Sequence, residues 1–184
     1  MKQKIKEREE LSTIIKDLRA RGKRIVFTNG CFDLLHLGHI RYLEEAKTLG
    51  DVLVVGVNSD ASVRKLKGPK RPILTVEERT EVLSGLGCVD YVAVFDELDP
   101  LELITSLHPD VLVKGGDWTK EQTVGKEVVE RSGGEVVILP FVKGASTSSL
   151  IETILKKYEE NELEDSSEYH FLGVSGIGLY ISDG

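Results

Sequence analysis

The feature that most constrains the fold is a regular alternation of short, β-branched-rich runs with segments of helical spacing. Five runs have the length and composition of buried strands: Arg24 to Asn29, Val52 to Val57, Val89 to Phe95, Asp110 to Val113 and Glu135 to Leu139. Strands that alternate with helices pair in parallel, because each helix returns the chain to the edge of the sheet where the previous strand began. The sequence therefore predicts an α/β fold, a three-layer sandwich with a five-stranded parallel sheet.

Helix boundaries are marked by residues that cap or break helices. Thr75 followed by Glu78 predicts a capping box, and Asp99-Pro100 predicts an N-cap with proline at the first helical position. Gly50 and the pair Gly133-Gly134 are typical of helix C-termini. These signals fall between the predicted strands and support the alternation.

The length and the charge distribution divide the chain into three regions. A chain of 184 residues fits one domain with short extensions. Lysine and arginine number 24 and aspartate and glutamate 31, but seven of the acids follow Tyr158, so residues 1–158 balance at 24 against 24. We expect an N-terminal helix packed on the domain over 1–23, the domain itself over 24–158, and an acidic, then glycine-rich tail without a catalytic role over 159–184.

Composition also limits the environment and the partners. The longest apolar stretches are far shorter than the ~20 residues that cross a bilayer, and the two cysteines favour a reducing cytoplasm over a disulfide framework. The run Arg64 to Arg71 carries five positive charges, which suits phosphate groups but is also typical of a solvated surface loop. It lacks interleaved aromatic residues, so nucleic acid is not favoured as a partner.

Two histidines follow the first strand where a loop becomes a helix. His36 and His39 are three residues apart, Gly38 lets a ligand approach the backbone, and a helix N-terminus carries partial positive charge. These features predict an anion site at the carboxyl edge of the sheet. A zinc site is not favoured, because Asp33 is the only nearby third ligand and the spacing differs from that of helical zinc proteases.

Two further segments follow later strands. Ser146, Thr147 and Ser148 precede the last helix and offer hydroxyl and amide groups to a second phosphate, or simply a helix cap. Lys114-Gly115-Gly116-Asp117-Trp118 provides a cation, two small residues, an acid and an aromatic, or an ordinary turn. In an open parallel sheet these segments would meet the two histidines at one edge.

Together these motifs carry a resemblance to a known family. Gly30-Cys-Phe-Asp33 with His36-Leu-Gly-His39 and Asn58-Ser-Asp60 closely resembles the cytidylyltransferase-like nucleotidyltransferases, a Rossmann-like superfamily. Lys114 to Trp118 and Gly144 to Ile151 look like the adenylyltransferase half of the bifunctional heptose kinase and adenylyltransferases. The resemblance covers about residues 10–158, and we expect a stand-alone version of this half without the sugar kinase.

The resemblance implies transfer of AMP from ATP to a sugar 1-phosphate, with D-glycero-β-D-manno-heptose 1-phosphate the expected acceptor, ADP-heptose and pyrophosphate the products and Mg²⁺ shielding the triphosphate. His36 and His39 would donate to phosphate oxygens, while Lys67 or Lys114 would offset the repulsion between the substrates. The expected nucleotide-binding residues are Thr28, Gly30, Phe32, Asp33, Gly38, Arg79, Gly115, Asp117, Ser146, Thr147 and Ser148. No protein metal ligand is expected, and a homodimer is expected from the family.

Two alternatives remain open. A cytidylyltransferase for glycerol 3-phosphate or an amino-alcohol phosphate would carry an arginine shortly before the serine-threonine motif, where this chain has Phe141 after Pro140. A nucleotide-binding module without turnover would keep the pocket but release no pyrophosphate. The exact sugar, its anomer and the oligomeric state are not determined by the sequence.

Overall fold

The computed structural model describes residues 2–116, 118–140 and 146–164, and the fold is given for these. Five strands form a parallel sheet: β1 (Ile25–Gly30), β2 (Val52–Asn58), β3 (Tyr91–Phe95), β4 (Val111–Gly115) and β5 (Glu135–Leu139). Their order across the sheet is β3-β2-β1-β4-β5. The predicted five-stranded parallel sheet is confirmed.

Helices connect the strands, after a short 3₁₀ turn at Lys2–Lys4. They are α1 (Arg8–Ala20), α2 (Leu37–Lys47), α3 (Asp60–Lys67), α4 (Val76–Ser84), α5 (Leu101–Leu107), α6 (Lys126–Arg131) and α7 (Thr147–Glu164). The chain divides into two compact units, one ending at Thr147 and the other beginning at Ser148. None of the described helices combines the length and the apolar composition required to cross a membrane.

Two apolar clusters cover the two faces of the sheet. One contains Leu11 and Ile15 of α1, with Leu103 of α5 and Phe27 of β1. The other contains Leu43 of α2 and Leu83 of α4, packed on the opposite face of the strands. The strands alternate between the clusters because successive side chains point to opposite faces, which gives the helix-sheet-helix layering of a Rossmann-like fold.

The centre of the sheet is where the chain changes direction. From β1 the chain moves outward to β2 and β3, while β4 lies on the other side of β1 and leads to β5. β1 pairs with β2 over six residues, up to Gly30 opposite Val57, but with β4 over only two, Val26 opposite Val111 and Phe27 opposite Leu112. Ligands of open α/β sheets bind at such a point, outside the carboxyl ends of the strands.

The predicted elements differ from the observed ones mainly at their ends. The capping box of Thr75 and Glu78 is present. Pro100, not Asp99, occupies the N-cap of α5, and the Asp99 carboxylate accepts the Leu101 N–H at 3.0 Å. The composition of the run Arg64 to Arg71 is typical of a surface loop, but its first four residues end α3. The predicted tail, 159–184, lies largely in residues 165–184, outside the described residues.

Candidate active site

The loop after β1 brings two histidine rings together at the start of α2. His36 is the N-cap residue of α2, and the His39 N–H donates to the His36 carbonyl at 2.9 Å. The rings stack with their centroids 3.9 Å apart and an angle of 27° between their planes. In each ring the Nδ1 atom is buried and has no hydrogen-bond partner among the described residues. A buried polar atom without a partner is costly, so these nitrogens are available for a ligand.

Burial sets the charge of this pair. It lowers the pKa of His36, and together with the nearby His36 ring it lowers the pKa of His39 to about 4. Both rings are therefore neutral near pH 7, and each neutral imidazole offers one N–H donor and one acceptor nitrogen. An anion that binds at their ring nitrogens would favour the protonated forms.

Phe32 holds this loop in an unusual backbone conformation. Its φ is 46°, in the left-handed region that bulky residues rarely adopt. The side chain is buried and contacts the ring of His39, with a centroid distance of 5.3 Å. A Cβ atom at Gly30 would come within 3.2 Å of the Phe32 ring, so a larger residue there would require the ring to shift by a few tenths of an ångström. Backbone strain of this kind is frequent at functional sites.

Asp33 fastens the same loop to the segment before α4. Its carboxylate pairs with the Arg71 Nε at 2.5 Å and accepts the N–H groups of Ile73 and Leu74 at 2.8 and 3.0 Å. Although burial opposes it, these donors lower the pKa of Asp33. The carboxylate is thus occupied by residues 71–74, and it is not free to complete a zinc site. A direct contact with nucleotide stays a prediction.

Arg79 is likewise used inside the protein. The residue is 1% exposed, and its side chain donates to the carbonyl oxygens of Cys31 and Leu74 and to the Asp60 carboxylate at 2.5, 3.1 and 2.6 Å. All three guanidinium nitrogens therefore have partners. This arrangement ties α4 to the loop after β1 and to α3, whereas the expected phosphate contact stays a prediction.

Lys114 lies at the end of β4, which extends two residues beyond the predicted strand. The residue is 7% exposed, and its ammonium donates to the Asn29 Oδ1 and lies 5.5 Å from the centre of the Trp118 ring. Burial lowers the pKa of Lys114 to about 8. Gly115 follows on the strand and accepts the Trp118 N–H at 3.1 Å.

Lys67 is the second lysine expected at the site. It is the last residue of α3 and is exposed. Burial raises the pKa of the Cys31 thiol, and the charge of Lys67 opposes this rise, so Lys67 lies within electrostatic range of Cys31. Its neighbour in the basic run, Arg71, is mostly buried against Asp33 instead.

The remaining predicted site residues lie on β1, at the start of α2 and around the start of α7, or fall outside the described residues. Thr28 is fully buried and its hydroxyl bonds to the Tyr42 hydroxyl at 2.7 Å, so the side chain already has a partner, and a contact with nucleotide stays a prediction. Gly38 lies in the first turn of α2, and the hydroxyl of Thr147, the last residue of the first unit, donates to the Leu34 carbonyl at 3.3 Å. Ser146 precedes Thr147, while Ser148 begins the second unit. Asp117, Phe141 and Lys143 to Ala145 fall outside the described residues.

Sequence reasoning missed two residues of the site. Arg71 belongs to a basic run that is typical of a solvated loop, and nothing in the sequence around it indicates that it pairs with Asp33. Asn29 ends a predicted strand, and nothing in a strand pattern indicates that its side chain meets Lys114, because that contact depends on which strand lies beside β1. Both contacts join residues that are distant in the sequence, Arg71 with Asp33 and Asn29 with Lys114, so they depend on how the chain folds.

Comparison with known proteins agrees with this geometry. Residues 27–162 match the cytidylyltransferase-like family, a span that includes the sheet and the histidine loop. The chain belongs to the cytidylyltransferase-like family. Among curated members, it is 57% identical over 159 residues to the bifunctional protein HldE of Trichlorobacter lovleyi and 59% identical over 157 residues to that of Geobacter metallireducens. These alignments cover 86% and 85% of the chain but 32% of each relative, so the chain spans about a third of their length.

Solved structures give the same fold. The lipopolysaccharide core biosynthesis protein of Thermoplasma volcanium superposes with a TM-score of 0.56 at 32% identity, over 67% of this chain and all of that one. The pantoate-β-alanine ligase of Francisella tularensis superposes with a TM-score of 0.55 at 18% identity, over 90% of this chain and 81% of that one. The second likeness concerns the fold alone.

Proposed function

We propose that this protein transfers AMP from ATP to a sugar 1-phosphate, with D-glycero-β-D-manno-heptose 1-phosphate as the acceptor and ADP-heptose and pyrophosphate as products. The observation that carries the proposal is the stacked, neutral histidine pair at the start of α2, with two buried nitrogens that have no partner among the described residues. The relatives at 57 to 59% identity support the choice of acceptor, because they are the bifunctional proteins whose adenylyltransferase part the motifs resemble.

The reaction requires little covalent chemistry from the protein. An oxygen of the acceptor phosphate attacks the α-phosphorus of ATP, a new P–O bond forms, and the bond to the β-phosphate breaks as pyrophosphate leaves with the electron pair. The acceptor is already anionic near neutral pH, so no base has to deprotonate it. Catalysis then consists of aligning two anions and stabilising the charge that develops between them.

The site residues divide this task. His36 and His39 donate N–H groups to phosphate oxygens at the reacting phosphorus, and the start of α2 adds its amides. Lys114 and Lys67 approach from β4 and α3 and reduce the repulsion between the substrates. Asp33 and Arg79, whose polar groups are occupied within the chain, hold the histidine loop in place.

Magnesium enters with the triphosphate in this proposal. Among the described residues no three histidine, cysteine, aspartate or glutamate side chains lie together in a way that would hold a metal ion, and Asp33 is occupied by Arg71. We therefore propose that Mg²⁺ binds as part of the ATP substrate, where it shields the phosphate charge.

The location and the oligomeric state are also proposals. The free thiols of Cys31 and Cys88 support a cytoplasmic location, and a homodimer is proposed from the family resemblance.

A pyrophosphate-release assay tests the function directly. Four nucleoside triphosphates are each combined with heptose 1-phosphate, other sugar 1-phosphates, glycerol 3-phosphate and an amino-alcohol phosphate. We expect kcat/KM for ATP with heptose 1-phosphate to exceed that for CTP with glycerol 3-phosphate by at least roughly 10²-fold, about 2.7 kcal/mol. The opposite preference would indicate a cytidylyltransferase, and no release with any pair would indicate a binding module.

A further inference from the structure

The carboxyl ends of β1 and β4 separate at the centre of the sheet. Their pairing stops at Phe27 and Leu112, whereas β1 stays paired with β2 as far as Gly30. The last residues of β1 and β4 therefore border a crevice at the point where the strand order reverses. This crevice is the expected position for a ligand in an open parallel sheet.

Asn29 and Lys114 connect the two strands across this crevice. The two residues lie two positions beyond Phe27 and Leu112, which belong to the cluster under α1 and α5, and strand alternation puts their side chains on that same face. The Lys114 ammonium donates to the Asn29 Oδ1. Because lysine carries only donors, the oxygen of the Asn29 amide must face it.

The Lys114 ammonium has no carboxylate partner among the described residues. β1 contains no titratable residue, and the charged residues on the other elements packed against β4 are Lys126, Glu127, Glu130 and Arg131 of α6 and Glu135 of β5. Lys126 pairs with Glu121, Arg131 with Glu127, and Glu135 with Arg24. A buried ammonium has three donors, and a buried charge without a counterion is unfavourable, so this cation suits an incoming anion.

We propose that Asn29 is a positioning residue for the AMP transfer proposed above: its side-chain oxygen fixes the Lys114 ammonium in the crevice between β1 and β4, where it meets the phosphates of the bound nucleotide. The inference rests on the proposed function for the identity of the anion. The link between Asn29 and Lys114 rests on their contact alone. The two parts can therefore be tested separately.

The protonation of Lys114 gives a direct readout of this link. Burial lowers the pKa of Lys114 to about 8, while the hydrogen bond to Asn29 favours the charged form. A carboxylate at position 29 should raise the pKa of Lys114 by about one unit or more, and removal of the acceptor should lower it. Bound phosphates should also raise it.

Trp118 provides the probe, because it is the only tryptophan in the sequence and its ring lies 5.5 Å from the ammonium. We would follow its fluorescence from neutral to alkaline pH in the intact protein. We expect one transition near the pKa of Lys114, shifted upward in Asn29→Asp, shifted downward in Asn29→Ala and lost in Lys114→Met. Lys120→Met is the matched control, since Lys120 is an exposed lysine two residues from Trp118, and it should keep the transition.

The outcomes separate the two proposals. Asn29→Asp keeps the size of the side chain, so it carries the test even if Asn29→Ala does not fold, as judged by circular dichroism. An unchanged midpoint in folded Asn29→Asp would overturn the positioning role. A midpoint that ATP does not raise in the unmodified protein would overturn the phosphate contact. Because fluorescence needs no turnover, a negative pyrophosphate assay beside shifted midpoints would count against the proposed reaction only.

Discussion

At the scale of single residues, the unpartnered nitrogens of His36 and His39 lead to a kinetic prediction. Replacing either residue with asparagine keeps a polar side chain but removes the ring that donates to the developing charge. We expect kcat to fall by roughly 10²-fold or more, as when a preorganised donor is removed. Steady-state kinetics with ATP and heptose 1-phosphate provide the measurement.

The control for this prediction is His108→Asn. His108 ends α5 with a φ of 46°, a left-handed conformation that asparagine tolerates, and it is not among the residues placed in the site. This variant should keep its kcat. If the changes at His36 and His39 affected KM alone, the histidines would contribute to binding and not to the transition state.

The sequence could predict that the two histidines lie together, because the signal for it is local. His36, Gly38 and His39 follow one another closely, so the start of a helix is enough to bring them together. The contact between Asn29 and Lys114 joins residues 85 positions apart and depends on strand order, which no local pattern contains. The occupied state of Asp33 depends in the same way on where residues 71–74 return to the sheet.

At the scale of elements, the link between the β1–α2 loop and residues 71–74 should contribute strongly to stability. The Asp33 side chain is 1% exposed and that of Arg71 17% exposed, so Asp33→Asn would leave a largely buried guanidinium without its counterion. We expect the free energy of unfolding to fall by about 2 to 4 kcal/mol, measured by urea denaturation. Arg71→Gln in the Asp33→Asn background should cost less than in the unmodified protein.

A second ion pair supplies the comparison. Glu127 and Arg131 are each 81% exposed and lie one helical turn apart, so Glu127→Gln should change the free energy of unfolding by about 0.5 kcal/mol or less. Similar costs for Asp33→Asn and Glu127→Gln would mean that the Asp33 link contributes no more than a surface pair.

Element boundaries show why sequence reasoning was accurate for strands and less so for short helices. The strands are buried, and their β-branched runs are bounded by turn residues, so the β5 prediction agrees with the structure over all five residues. The α3 helix was missed because its second half consists largely of cations, which resemble a solvated loop. β4 extends to Gly115 because pairing with β5 continues beyond the apolar run.

At the scale of the whole molecule, fold and function make opposing demands on the histidine loop. The sheet and its two apolar clusters hold neutral imidazoles, a buried ammonium and a left-handed Phe32 at one edge, and none of these would be selected for stability alone. The imidazoles and the ammonium share the ability to donate hydrogen bonds to a bound anion. The cost of keeping them without one should appear in the stability of the protein as pH changes.

The last prediction concerns that pH dependence. The pKa of His39 is about 4 in the folded protein and near 6.5 in an unfolded chain, so below pH 6.5 the unfolded state binds a proton that the folded state excludes. The contribution of His39 is therefore complete above about pH 6.5 and is lost as pH falls towards 4. We expect the free energy of unfolding of the unmodified protein, relative to that of His39→Asn, to fall as pH decreases over this range in urea titrations. A difference that stays constant with pH would mean that the folded protein accepts the proton on His39 as readily as the unfolded chain does.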